Sequence, residues 1–162
     1  MKKYLLLLSV VVLGFSACKK VDFVAEQAAI DEAKIQAYVA ANPSTAGGLT
    51  KDASGIYYKI LKTGAGAKPT ATSTVRIAYV GKLLNGNTFD SSSGFTSLLS
   101  AFVSGFQSGV LKLNGPSAAG ATDGGKIFMI IPSALAYGAT ESGIIPANSV
   151  ITFTVDLNGI GI

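Results

Sequence analysis

The sequence predicts an α+β domain, in which an antiparallel sheet of about five strands wraps against one short helix and follows an N-terminal helix. Three observations support this prediction. Much of the chain beyond residue 55 alternates apolar and polar residues with a period of two, which is typical of strands with one buried face. Only the later segment 102–113 has helical character, and Asn85-Gly86 lies between apolar residues as a strong turn signal. With 162 residues, one such domain is expected and two are not.

The first predicted helix covers residues 31–41. Asp31 is placed to cap its start, and together with Glu32 it is expected on a solvated helix face. Three apolar side chains fall at helical spacing in this segment, namely Ile35, Tyr38 and Val39. The following residues, 43–54, mix Pro, Gly, Ser and Thr without periodicity, which favours a linker over a packed element.

Strands account for most of the predicted domain. Alternation places one set of side chains on a buried face: Ile56, Tyr58 and Ile60, then Val75, Ile77 and Tyr79, then Ile151, Phe153, Val155 and Leu157. The continuous apolar run 126–131 predicts a central strand that is buried on both faces and ends at Pro132. Gly105 and Gly109 weaken the helix at 102–113, so tertiary packing must stabilise it. Small polar residues at 114–125 predict a mobile surface loop.

The N-terminus has the organisation of an export signal. Lys2 and Lys3 precede an apolar run over residues 4–15, and small residues lead to Cys18. The apolar run is too short to favour a permanent membrane-spanning helix, which is the alternative. Because Cys18 is the only cysteine, it cannot form an intramolecular disulfide, and its position suits the cleavage and acylation site of a bacterial lipoprotein.

The expected organisation is a signal peptide at 1–17, a lipid-anchored tether with the short helix and linker at 18–54, and the domain at 55–162. Cleavage removes two of the thirteen basic residues and leaves eleven against nine acidic ones, a net charge of +2 that is too weak to predict nucleic-acid binding. Lys19 and Lys20 are interpreted as a solvated tether, with contact to anionic head groups as the alternative. We therefore expect a lipid-anchored protein of a bacterial envelope, on the outer membrane and facing the periplasm.

Composition excludes several kinds of chemistry. With no histidine and a single cysteine near the start, the chain offers no Ser-His-Asp triad, no imidazole metal ligand and no thiol nucleophile in the domain. The nine carboxylates form no recognisable paired-acid site, and no metal or cofactor is expected. What stands out is an apolar set beside turns, next to Asp90, which indicates an apolar binding site: Tyr79, Phe89, Phe102, Phe106, Tyr137, Ile144, Ile145 and Phe153.

Two stretches carry a family resemblance. The segments VRIAYVGKLLNGNTFDSS and IPSALAYGATESGIIPANSVITFTVDL, in this order, resemble the FKBP-type peptidyl-prolyl cis-trans isomerases. The similarity covers about residues 55–160, and the upstream AKIQAYVAANP and GIYYKILKTGAGAKP look like bacterial lipoprotein members of that family. The resemblance implies an FKBP-like fold and an isomerase, or rotamase, that acts on X–Pro bonds of proline-containing polypeptides and assists the folding of exported proteins.

By position, the resemblance implies a proline pocket lined by Tyr79, Phe89, Phe102, Val103, Phe106, Tyr137, Ile144, Ile145 and Phe153. It places Asp90 at the rim, the backbone N–H of Val103 on one substrate carbonyl and the Tyr137 hydroxyl on another. Phe106 stands where the family usually has tryptophan, and the segment 93–101 is shorter and more serine-rich than the family's. The alternatives are a catalytically weak peptide-binding or chaperone-like module on the same fold, and a structural envelope lipoprotein whose aromatic residues are all core.

Overall fold

The structure is a computed structural model that describes residues 23–161. The predicted signal peptide and Cys18 lie outside this range. None of the helices in the described residues is long and apolar enough to cross a membrane. The elements, in chain order, are α1 (Phe23–Ala41), α2 (Pro43–Ala46), β1 (Thr50–Lys51), β2 (Tyr57–Lys62), β3 (Thr74–Leu83), β4 (Thr88–Leu98), a 3-10 turn (Leu99–Ala101), α3 (Ser104–Val110), β5 (Lys126–Ile131), a second 3-10 turn (Ser133–Leu135) and β6 (Ile151–Ile160).

A six-stranded antiparallel sheet organises the domain, in the order β1-β2-β5-β6-β3-β4. This confirms the α+β prediction, and the sixth strand is the two-residue β1 at the edge. The hairpin between β3 and β4 turns at Asn85-Gly86, as the turn signal predicts. There the N–H of Gly86 donates to the carbonyl of Leu83, and Gly86 adopts a φ of 92°, which glycine reaches without steric cost.

Strand β5 lies between β2 and β6, and it is buried on both faces because a hydrophobic cluster packs against each side of the sheet. Successive side chains of a strand point to opposite faces of the sheet. Accordingly, Ile127, Met129 and Ile131 enter the hydrophobic cluster beneath α3. Phe128 and Ile130 enter a second cluster beneath α1. The prediction of a central strand that ends before Pro132 is confirmed.

The helix predicted at 102–113 is observed as the shorter α3, which packs against β5. A Cβ atom at Gly109 would lie 2.5 Å from the sulfur of Met129, and one at Gly105 would overlap the side chain of Ile131. The two glycines lower the intrinsic helix propensity, but they allow the helix backbone to approach the sheet. Tertiary packing therefore stabilises α3, as its composition requires.

Helix α1 differs from the prediction at its N-terminal end. It begins at Phe23, so Asp31 lies inside the helix and does not cap it. The expectation that Asp31 lies on a solvated face is also wrong, since it is only 2% exposed. Its carboxylate accepts hydrogen bonds from the side chain of Gln27 and from the backbone N–H of Ser133. The residues before Asp31 include good helix formers, which continue the helix in the N-terminal direction.

The segment 43–54 was expected to be a linker without packed elements. This expectation is wrong. It contains α2 and β1, and β1 pairs with β2. Ala46 is fully buried in the cluster that contains Ile35, Tyr57 and Phe128. Small residues without periodicity can pack where neighbouring elements cover them. The boundary of the domain at residue 55 stays a prediction.

The loop 114–125 is held by backbone hydrogen bonds near its two ends. Gly115 donates to the carbonyl of Ala67 at 2.7 Å, and the N–H of Leu157 donates to Gly125 at 2.9 Å. Inside the loop, the carboxylate of Asp123 accepts the N–H of Ser117 at 2.9 Å. Backbone hydrogen bonds therefore attach both ends of the loop to the rest of the domain. That the loop is mobile stays a prediction.

Candidate active site

Aromatic rings from separate elements meet around Phe106. The side chain of Phe106, on α3, is 1% exposed. Its ring centroid lies 6.2 Å from that of Tyr79 on β3 and 4.9 Å from that of Phe153 on β6, both edge to face. The Tyr79 and Phe153 rings are 6.0 Å apart. Edge-to-face arrangements at these distances are favourable because the positive edge of one ring meets the negative face of another.

Further rings extend this group, which we call the aromatic cluster. Phe89 on β4 meets Phe153 edge to face at 5.5 Å. Phe102 stacks on Phe106 with centroids 4.5 Å apart and ring planes 17° apart. The aromatic cluster thus comprises the residues Tyr79, Phe89, Phe102, Phe106 and Phe153, all of which the sequence had indicated, and one more, Phe95.

Phe95 is the member that sequence reasoning missed. Its ring contacts Tyr79 at 6.4 Å and Phe102 at 6.1 Å, both edge to face, and the residue is 45% exposed. The only signal in the sequence was a lone aromatic residue in a serine-rich segment. The register of β3 against β4 shifts between Ile77 and Tyr79, opposite this part of β4. Such an irregularity re-aims side chains, and it cannot be read from the alternation pattern.

Two phenols and a carboxylate supply the polar part of the site. The Tyr79 hydroxyl donates a hydrogen bond of 2.8 Å to Oδ2 of Asp90. Burial and this bond raise the pKa of Tyr79 to about 12. Burial, and secondarily the charge of Asp90, also raise the pKa of Tyr137, which packs against the same core. Both phenols therefore keep their protons at neutral pH and remain hydrogen-bond donors.

The remaining predicted residues differ in burial. Val103 directly precedes α3 and packs, half-buried, against the main core. Ile145 is 4% exposed and belongs to the same cluster, whereas Ile144 is 62% exposed. Ser142 and Ile145 exchange two backbone hydrogen bonds, which leaves Ile144 in the turn between them. The structure thus buries Ile145 in the hydrophobic core that contains Phe106 and Phe153, and leaves Ile144 largely exposed. The roles assigned to individual residues stay predictions.

A separate hollow of about 790 Å³ lies between α1 and residues 132–139. Ile30, Asp31 and Leu135 are among its lining residues, and none of the aromatic cluster lines it. We place the candidate site at the aromatic cluster, because the rings, the phenols and Asp90 converge there. Across residues 23–161, no three His, Cys, Asp or Glu side chains are grouped so that they could hold a metal ion.

Comparison with known proteins gives the class of this domain. The sequence model of the FKBP-type peptidyl-prolyl cis-trans isomerase family matches residues 66–158, and the chain belongs to this family of isomerases. Over 131 residues, 78% of this chain and 46% of the relative, it is 37% identical to the FKBP-type isomerase FkpA of Aeromonas hydrophila. Over 130 residues, 76% of this chain and 52% of the relative, it is 33% identical to the isomerase Mip of Coxiella burnetii. The chain spans about half the length of these curated relatives.

Solved structures agree with this assignment. The crystal structure of FkpA from Escherichia coli superposes with a TM-score of 0.68 at 29% identity, covering 86% of this chain and 63% of that one. A peptidyl-prolyl isomerase of Pseudomonas syringae superposes with a TM-score of 0.65 at 29% identity, covering 81% of this chain and 96% of that one. The predicted FKBP-like fold is confirmed.

Proposed function

We propose that this chain is a peptidyl-prolyl cis-trans isomerase that assists the folding of proline-containing polypeptides. One observation carries the proposal: the aromatic cluster closes around Phe106 while protonated phenols of Tyr79 and Tyr137 lie near Asp90. An apolar surface of this kind accepts a prolyl ring, and phenols can bond the carbonyls beside it. Membership of the isomerase family supports the same activity.

The reaction needs no nucleophile, because no covalent bond breaks. Rotation about an X–Pro bond crosses a barrier of about 18–20 kcal/mol, chiefly the loss of amide resonance, and takes tens to hundreds of seconds without a catalyst. The planar amide carries more charge on its oxygen than the twisted amide does. An apolar site with few donors to that oxygen therefore solvates the planar form less well than water does. The twisted form loses less, so the barrier falls through differential binding.

Specific residues divide this work. Phe106 and Phe153 are deeply buried and support the more exposed rings of the aromatic cluster. The prolyl ring packs against those exposed rings, so that one side of the bond is held in place. The Tyr137 hydroxyl and the backbone N–H of Val103 bond flanking substrate carbonyls, so that only the other side of the amide rotates. Asp90 accepts a hydrogen bond from the Tyr79 hydroxyl and thereby orients the Tyr79 ring at the edge of the cluster. Positioning and desolvation act together on the bound segment.

The test is a protease-free refolding assay with a substrate whose slow phase is limited by proline isomerisation. The purified protein is expected to accelerate that phase at substoichiometric amounts. Tyr137→Phe and Asp90→Ala should each reduce the acceleration, whereas Gln36→Ala, an exposed change on α1, should not. An unchanged slow phase with equimolar wild-type protein overturns the proposal.

A second candidate function is a peptide-binding or chaperone-like module with weak catalysis. The observation that favours it is apolar exposure on β4, where Phe95 is 45% and Leu98 is 52% exposed. Exposed apolar side chains beside the aromatic cluster can bind extended unfolded chains. Leu98→Ser, a change on the same exposed strand but outside the aromatic cluster, should then reduce the retention of an unfolded protein and leave the rate on a short X–Pro peptide unchanged. Unchanged retention excludes this surface.

We infer that the protein is a bacterial lipoprotein anchored through Cys18, on the outer membrane and facing the periplasm. The signal-like sequence of residues 1–17 supports this placement. Each buried methylene of an acyl chain contributes about 0.8 kcal/mol, so several chains hold a soluble domain on a bilayer. Cys18→Ser should move the protein from the membrane fraction to the soluble fraction, and mass spectrometry of the wild type should detect acylated Cys18. A wild-type N-terminus without lipid contradicts the inference.

A further inference from the structure

Helix α1 lies outside the family match at 66–158, yet it is bonded to the segment that carries Tyr137. The contact is made by Asp31, which is 2% exposed. Its Oδ2 accepts the backbone N–H of Ser133 at 2.7 Å, and its Oδ1 accepts the side-chain amide of Gln27 at 2.8 Å. The carboxylate is thus partnered on both oxygens, by its own helix and by a segment 102 residues away.

The N–H of Ser133 needs a partner from elsewhere in the chain. Ser133 begins the second 3-10 turn, and the first N–H groups of any helical turn have no acceptor within that turn. The residue before it is Pro132, and no side chain of the turn caps its start. Asp31 supplies the missing acceptor from α1. A carboxylate is a strong acceptor at such a position, because a hydrogen bond from an N–H to an ionised oxygen is stronger than one to a neutral oxygen.

The position of Ser133 is transmitted to Tyr137 through two backbone bonds. The carbonyl of Ser133 accepts the N–H of Ala136 at 3.0 Å and the N–H of Gly138 at 2.9 Å. Tyr137 lies between these two amides. A displacement of Ser133 therefore displaces the backbone on both sides of Tyr137.

A second contact joins α1 to the other end of the same loop. Lys34 is one helical turn beyond Asp31, on the same side of the helix, and its Nζ donates to the carbonyl of Asn148 at 3.3 Å. The N–H of Asn148 donates to the carbonyl of Gly138 at 2.8 Å. Helix α1 thus bonds both ends of the loop 132–148.

We propose that Asp31 is a positioning residue for the reaction: from α1, it fixes the loop 132–148 so that the Tyr137 hydroxyl meets the substrate. The inference rests on the proposed isomerase function and gives α1 a role in the site beyond that of a tether. Asp31 does not touch the substrate. It acts through Ser133 and Tyr137.

The test is a double-mutant cycle on the full mature chain, with an X–Pro peptide as substrate. Asp31→Ala should lower kcat/KM roughly tenfold in the wild-type background and less than about twofold in the Tyr137→Phe background, because the hydroxyl that it positions is then absent. Asp31→Asn should restore kcat/KM to within about twofold of wild type, since an amide oxygen can still accept the Ser133 N–H. Equal losses in the two backgrounds overturn the proposal.

The matched control is Ile35→Ala, which weakens the packing of the same helix and leaves the bond to Ser133 intact. Per folded molecule, its kcat/KM should be unchanged; a loss as large as that of Asp31→Ala overturns the proposal. Amide hydrogen exchange, followed by NMR without substrate, separates this inference from the isomerase proposal. Asp31→Ala should accelerate exchange at Ser133 and Gly138 at least tenfold, and Ile35→Ala should not. Unchanged exchange overturns the positioning role, whether or not the wild type proves active.

Discussion

The two faces of β5 support two hydrophobic clusters that are built differently. On one face, Ile127, Met129 and Ile131 pack beneath α3 in the hydrophobic core that also contains Phe106 and Phe153. On the other face, Phe128 and Ile130 pack beneath α1 and α2. Each cluster also places a tyrosine hydroxyl on a carboxylate. The same strand therefore contributes to both clusters. The elements that cover each face of the sheet determine whether that face can also bind a ligand.

The second cluster is covered by α1 and α2, and we call this side of the sheet the sealed face. Its tyrosine, Tyr57, donates to a carboxylate oxygen of Glu32 at 2.6 Å, which ties β2 to α1, and Lys51 pairs with the same carboxylate at 2.8 Å. The first cluster stays partly open, since its tyrosine bonds to the exposed Asp90 and Phe95 is 45% exposed. The packing of the sealed face contributes chiefly to stability, although α1 also bonds the loop 132–148. An open face contributes stability and can also bind a ligand.

The largest expected effect is that of Phe106→Ala, at the centre of the open face. Truncating a fully buried phenylalanine costs about 3–5 kcal/mol of unfolding free energy, through lost transfer energy and the cavity left behind. Because Phe106 contacts Tyr79, Phe102 and Phe153, isomerase activity should also disappear. Denaturant unfolding and the refolding assay measure the two quantities. Retained activity per folded molecule would show that the open face does not form the site.

Ile35→Ala tests the sealed face. Ile35 is 1% exposed and packs in the second cluster, so we expect a loss of about 2–4 kcal/mol in unfolding free energy. Activity per folded molecule should stay at the wild-type level, because Ile35 belongs to a different hydrophobic cluster from Phe106 and Phe153 and the bond from Ser133 to Asp31 is retained. The comparison with Phe106→Ala fails if the two variants lose activity in equal proportion.

Local signals were sufficient for much of the fold. The predictions of a buried strand at the apolar run of β5 and of a turn at Asn85-Gly86 were correct, because strand burial and glycine φ depend on nearby residues. The early start of α1 is also consistent with local propensity, because helix formers precede Asp31, but the burial of Asp31 was not predictable in this way. The partner that makes burial of the carboxylate tolerable is Ser133, which is 102 residues distant. Local composition cannot show such a partner.

The candidate site likewise contains residues that could be predicted from local sequence and residues that could not. Tyr79 and Phe153 could be assigned from motifs that resemble a known family, and the structure brings their rings together. Ile144 and Ile145 look equivalent in the sequence, but the turn buries one and exposes the other. Phe95 joins the cluster through an irregular strand register. Side-chain direction at turns and bulges depends on backbone geometry, which residue identity alone does not specify.

The two tyrosine–carboxylate bonds offer a matched pair of small changes. Tyr57→Phe should cost about 1–2 kcal/mol of unfolding free energy, because it leaves Glu32 without one donor at the α1–β2 contact, and activity should not change. Tyr79→Phe should cost less than about 1 kcal/mol, because Asp90 is exposed and water replaces the bond. It should nevertheless lower kcat/KM. Unfolding curves and peptide kinetics on both variants check these expectations. A loss of activity in Tyr57→Phe but not in Tyr79→Phe would contradict the assignment of the site to the open face.

The smallest expected effect is an acid dependence that belongs to the sealed face. The bond from Lys51, and then the bond from Tyr57, lower the pKa of Glu32 from 4.5 to about 2. A carboxyl group whose pKa is lowered by folding contributes stability that is complete above its unfolded value and is lost as the pH falls towards the folded one. Stability should therefore decline between about pH 4.5 and pH 2. Since the Glu32 side chain is 40% exposed, solvent screening limits this contribution to about 0.5–1 kcal/mol. Unfolding curves of Glu32→Gln should show a shallower decline than wild type, and an identical decline would place the acid sensitivity in other carboxyl groups.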